Sequence, residues 1–121
     1  MRSIEINSKL RTIKESSFEG GSRGSLDYLQ KCVDGTIDLV RVDAGVDLYV
    51  NDEGLINGTP DFFIFKGYHQ PLAGNAVLVG SNDEGETVSL PKWVTVKWVQ
   101  DRVEFADINT IRFMAGAGKF D

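Results

Sequence analysis

The sequence predicts an α+β fold: mostly antiparallel sheet with one or two short helices packed on it, in a single domain over residues 1–121. Three observations carry that expectation. Runs with two-residue apolar alternation recur along the chain, separated by short Gly-, Asn- and Asp-containing breaks, as hairpin-linked strands require. One stretch, "SLDYLQKCVDG", spaces its apolar residues at helical intervals instead and ends in glycine. A length of 121 residues with a 41% apolar share suits one core, burying roughly two-thirds of the unfolded surface.

"RSIEIN" places Ile4 and Ile6 on one face and reads as the first strand. Residues 16–25, "SSFEGGSRGS", read as a flexible Gly/Ser loop. Ser25 then caps a helix over residues 25–33, with Leu26, Leu29 and Val33 as its apolar stripe and Cys32 beside it. Gly35 follows where a left-handed cap is expected. "TIDLVRVD" and "VDLYVND" flank Ala44-Gly45 and read as a β-hairpin pairing residues 36–43 with 46–51. Val46, Leu48 and Val50 share one face of the second run, and Asp47 and Tyr49 share the other.

"DFFIFKGYHQPLAG" permits two readings. Thr59 or Asp61 caps a short helix burying Phe62, Phe63 and Phe65, or the run is a buried strand; periodicity does not separate these over so few residues. "NAVLVGS" reads as a strand with "ETVSL" as its partner. The valines of "PKWVTVKWVQ" favour a strand, the alternative being a helix with Pro91 at its first position. "DRVEFAD" and "TIRFMA" read as terminal strands, and residues 116–121 as a loose tail.

The net charge is −5, but a balance of −8 falls between residues 34 and 90. Such a field disfavours non-specific nucleic-acid binding and steers cationic partners. Cys32 is the single cysteine, so no internal disulfide forms, which suits a reducing compartment. There is no run of eighteen apolar residues, and "MRSIEINSKLRTIK" lacks a signal peptide's apolar stretch, so a soluble protein inside a cell is expected, with no membrane partner.

Asn-Asp-Glu-Gly occurs twice, at residues 51–54 and 82–85. Asn and Asp bond their own backbone and Gly supplies positive φ, so strand-connecting turns explain both copies. A calcium loop needs oxygens at alternate positions and a distant bidentate Glu, which neither copy has. His69 is the only histidine, excluding any two-histidine mechanism. Cys32 reads as core packing, and no Gly-x-Ser-x-Gly elbow is present. "MAGAGKFD" fails as a phosphate loop, because Phe113 and Phe120 stand where Gly and Ser/Thr are needed. "EGGSRG" offers backbone amides and Arg23 to a phosphate, against the simpler reading of a mobile loop. Lys92, Trp93, Lys97 and Trp98 mix basic and aromatic character suited to stacking bases, but the acidic total favours packing.

Leu29-Gln30, Gly35, Ile37-Asp38, Asn51-Asp52-Glu53-Gly54, Gly74, Val77-Leu78-Val79 and Asp83-Glu84-Gly85 form an ordered pattern over residues 29–90. It resembles a family of small domains known from bacteriophages and from actinobacterial and plasmid genomes, the domain of unknown function 3846. Asp34 stands where that pattern usually has a second Gly. The resemblance implies a phage or mobile-element origin and a small accessory protein acting in the host cytoplasm. It carries over no activity and no catalytic residue.

The expected function is non-enzymatic binding of a host protein or a small ligand, host-defence inhibition included. The partner-facing residues are Asp38, Asp47, Asp52, Glu53, Asp61 and His69, with no cofactor and no metal. Nucleic acid is not an expected partner, and an oligomer is compatible with the sequence. The alternative is a small enzyme using Asp and Glu of residues 34–61 with His69.

Overall fold

The computed structural model describes residues 1–53 and 58–118. The predicted alternation of Ile4 and Ile6 becomes β1 (Arg2–Asn7), with both isoleucines buried on one face. β1 pairs antiparallel with β2 (Thr12–Ser17), from Arg2↔Ser17 to Asn7↔Thr12. The expected Gly/Ser loop is therefore shorter: residues 16 and 17 belong to β2, and Phe18 is buried, stacked on Tyr28 with ring centroids 5.0 Å apart.

The first helix, α1 (Ser22–Val33), starts before the expected Ser25 cap. Gly21, with φ 93° and ψ 155°, is the N-cap, and Ser25 falls in the first turn, where it is buried. At the other end Asp34 takes the left-handed position expected of Gly35, with φ 58°. Gly35 also has a positive φ, 154°, and a Cβ there would in addition lie 2.6 Å from Asn51 Nδ2. That amide donates to the carbonyls of Val33 and Asp34, both at 3.1 Å, and so closes the helix end.

The predicted hairpin is β3 (Ile37–Asp43) with β4 (Val46–Asn51), turning at Gly45. β4 continues onto β7 (Ala76–Ser81), Val46↔Gly80 to Val50↔Ala76, and β7 pairs with β1 through Ile4↔Leu78. The order is β2-β1-β7-β4-β3, with the short β8 (Thr87–Val88) pairing the end of β7. One face, with Ile4, Ile6, Val40, Leu48, Val50 and Leu78, packs on a second sheet. That sheet is β6 (Leu72–Ala73), β5 (Asp61–Phe65) and β9 (Val103–Asp107), from which Phe63, Phe65 and Leu72 enter the shared core. Of the two readings of "DFFIF", the strand is the one formed.

Two expected strands are helices. Within residues 91–100 the chain forms α2 (Val96–Gln100), capped by Thr95, whose hydroxyl oxygen accepts from Trp98 N at 3.1 Å. Valine's β-preference is a weak prior; here a turn and a helix bring both Val94 and Val99 into the core. Arg2 holds the turn by donating to the carbonyls of Pro91 and Val94. "TIRFMA" lies in α3 (Ile108–Gly116), whose cap Asp107 accepts from Thr110 N at 2.8 Å. Ile108 and Ile111, three apart, pack with Phe62 and Ala106 on the outer face of the small sheet. α3 runs to residue 116, the first of the expected tail, and residues 119–121 of that tail lie outside the described residues.

The layers are thus α1, the large sheet, the small sheet and α3, with three helices among the described residues rather than one or two. No helix among them is long and apolar enough to cross a membrane.

Candidate ligand cavity

α1 covers only part of the large sheet's second face. Leu29 packs there with Val77 and Val79, while the N-terminal half of the helix stands over the ends of β3, β4 and β8. The space left is a cavity of about 540 Å³, within the usual range for small-molecule sites. Leu29, Ile37, Tyr49 and Val88 provide apolar walls. Leu26 and Met1 also line it and remain 43% and 46% exposed, so apolar surface reaches the mouth. Gly21 and Ser25 contribute from α1.

The opposite rim is the second Asn-Asp-Glu-Gly segment: Asn82, Gly85, Glu86 and Thr87 line the cavity. Asn82 builds this turn. Its Oδ1 accepts from Glu84 N at 3.0 Å and Glu86 N at 2.9 Å, and Gly85 supplies φ 78°. Its Nδ2 donates to Glu86 Oε1 at 3.1 Å, and this bond holds the Glu86 carboxyl below its ordinary pKa. Burial, and then the charge of Asp47, pushes the Tyr49 phenol above its usual value. At neutral pH the rim therefore carries an ionised carboxylate and the wall a protonated phenol. The tetrapeptide is a turn, as expected, and the turn is also a wall.

In the first copy Asn51 has the same role, its Oδ1 accepting from Glu53 N at 2.8 Å; Gly54 lies outside the described residues. The other anticipated site residues are dispersed. Asp38, Asp52 and Glu53 are exposed, and Asp52 accepts a hydrogen bond from the Thr36 hydroxyl. Asp47 is 3% exposed and ion-paired at 3.0 Å with Arg41, so its carboxylate is committed within the fold. Asp61 shares a smaller cavity of about 260 Å³ with Asp34, Asn51 and Lys9. His69 is exposed and packs at a tilt against Tyr68, ring centroids 4.6 Å apart, away from the walls of that cavity.

Cys32 lies on α1, half-buried, and burial raises its thiol to about 11. Beside it the Tyr28 hydroxyl bonds Ser3 Oγ at 2.7 Å and Glu5 Oε2 at 2.8 Å. Trp93 meets Trp98 edge-on at 5.4 Å, and Arg102 covers the Trp98 ring at 3.8 Å. Among the described residues no three His, Cys, Asp or Glu side chains converge in a metal-holding group. The main cavity escaped sequence reasoning because Met1, Ser25, Ile37, Tyr49 and Thr87 share no local pattern. The one available signal was the Asn-Asp-Glu-Gly turn.

No solved structure matches the chain. One similar protein is "Uncharacterized protein y4iR" of Sinorhizobium fredii (strain NBRC 101917 / NGR234), 40% identical over 43 residues. That stretch is 36% of this chain, which spans only 27% of the relative's length. The family described as "Domain of unknown function (DUF3846)" matches over residues 1–104, a span containing every residue that lines the main cavity. The chain belongs to the DUF3846 family.

Proposed function

We propose that this protein acts by non-enzymatic binding and holds a small molecule in the cavity between α1 and the β7–β8 hairpin. The observation that carries this reading is the cavity itself, with apolar walls, a polar hairpin rim and apolar side chains at its mouth. Its titratable groups support binding over proton transfer. Glu86 is moved down and Tyr49 up, both away from neutral pH, so they offer fixed hydrogen-bonding partners. The reading includes a phage or mobile-element origin and action in the host cytoplasm. A protein so placed would withdraw a small molecule from its host, including one on which defence depends.

A second reading, the small enzyme, draws on Asp34 and Asp61 sharing the smaller cavity. It requires a turnover that Asp61→Asn abolishes.

Intact protein purified from producing cells and examined by native mass spectrometry should retain a small molecule. A small-molecule thermal-shift screen should find stabilising compounds; at a hundred times its dissociation constant a ligand adds about 2.7 kcal/mol. Leu26→Trp, at the mouth, should abolish retention and shifts while leaving the ligand-free melting temperature nearly unchanged. Binding that survives both Leu26→Trp and Thr87→Trp would place the ligand elsewhere and overturn the proposal.

A further inference from the structure

The N-terminus of α1 opens onto the cavity through Gly21, and among the described residues no side-chain cap answers its positive end. The cap is Gly21, which has no side chain to accept from the first-turn amides, and no side-chain cap bond is made. The first turn contains no acid and carries Arg23 instead, the charge that disfavours this end of a helix. A second observation points the same way. Ser25 is 5% exposed, lines the cavity, and its Oγ is the buried side-chain polar atom without a hydrogen-bond partner among the described residues. A buried hydroxyl is costly to leave unpaired. Here it lies in the first turn of the helix whose cap, Gly21, lines the same space.

Donors at one end and apolar walls along the rest describe a ligand with an acceptor head and an apolar body. The opposite rim narrows the choice of head. Glu86 lies there, in a segment (residues 67–90) whose net charge is −3, and a multiply charged head would be repelled. We infer, on the reading of this cavity as a ligand site, that it takes an amphiphilic monocarboxylic acid. The carboxylate docks on the first turn of α1 and accepts from the Ser25 hydroxyl; the chain lies against Leu29, Ile37 and Val88.

Calorimetric titration of the full chain with decanoate, decanol and decyl phosphate tests this. Decanoate should bind about tenfold or more tightly than decanol, the effect of hydrogen bonds to a charged group. Ser25→Ala should weaken decanoate about tenfold by the same conversion and leave decanol unchanged. Because the hydroxyl has no partner, Ser25→Ala should not lower the ligand-free melting temperature. Amide NMR signals of Arg23 and Gly24 should move with decanoate and stay with decanol.

Equal binding of decanol and decanoate, lost on Leu26→Trp, would overturn the anion docking and keep the cavity. Tighter binding of decyl phosphate would overturn the single-charge head. If none of the three binds while a compound from the screen does, sensitive to Leu26→Trp, this inference falls and the broader reading stands. If nothing binds, both fall.

Discussion

Cys32 shows how a single side chain reports its surroundings. Its thiol, ordinarily titrating at 9.0, is pushed to about 11 by burial, with the Glu5 charge adding to the effect. The folded protein thus keeps a proton that the unfolded chain gives up earlier. Stability from this group is fully present below pH 9.0 and is lost as pH rises toward about 11. Urea denaturation at stepped pH should show a decline across that window, and Cys32→Val should flatten it; an unchanged slope in the variant would refute the assignment. Asp47 is instructive in another way. Alternation correctly sets it on the face opposite Leu48, and an acid on such a face reads as outward-pointing. That face of the large sheet carries α1, and Asp47 is buried with Arg41 beside it. A polar residue in a strand pattern faces solvent only when nothing covers it, and alternation holds no information about what does.

At the scale of elements, α1 is anchored by a residue from another strand. Asn51, at the end of β4, satisfies two carbonyls at the helix C-terminus and turns its own chain through its Oδ1. Asn51→Ala removes all three bonds and should cost about 1–3 kcal/mol, read as a lower urea midpoint at unchanged slope. Asn82→Ala, in an exposed hairpin, should cost less. The hairpins and α1 were legible because alternation, turn residues and helical spacing agreed. α2 and α3 were not, because their valines, isoleucines and aromatics resemble strand composition while the deciding signals were caps. Thr95 three before Trp98, and Asp107 three before Thr110, have the spacing of N-cap acceptors and their amides. Phe113, exposed on α3, shows that an aromatic in a short run need not be a core residue.

Across the whole molecule, the two sheets are joined through a single interior in which Phe63 is fully buried. Phe63→Ala should cost about 3–5 kcal/mol. Because the core contacts both sheets, far-ultraviolet circular dichroism and the fluorescence of Trp98, which lies near Phe65, should shift together. Separate transitions would show that the layers unfold independently. The cavity is a property of this scale. Its lining runs from Met1 through α1, β3 and β4 to the β7–β8 hairpin, so only the assembled topology brings it together. A search of the sequence for acids and His69 has no means of marking the proposed site, whose distinguishing groups are a glycine cap and a hydroxyl unpaired among the described residues.

β3 closes one end of the large sheet, with one side unpaired among the described strands and Leu39 exposed on it. An open strand edge is a template on which another chain can add. Asp38, Arg41 and Asp43 punctuate that edge with charge, and the register shift between Arg41 and Asp43 bends its ladder. Both devices obstruct strand addition. The acids of this strand then act against contacts: on the proposed reading they discourage strand addition between crowded copies and leave the α1 face for a ligand.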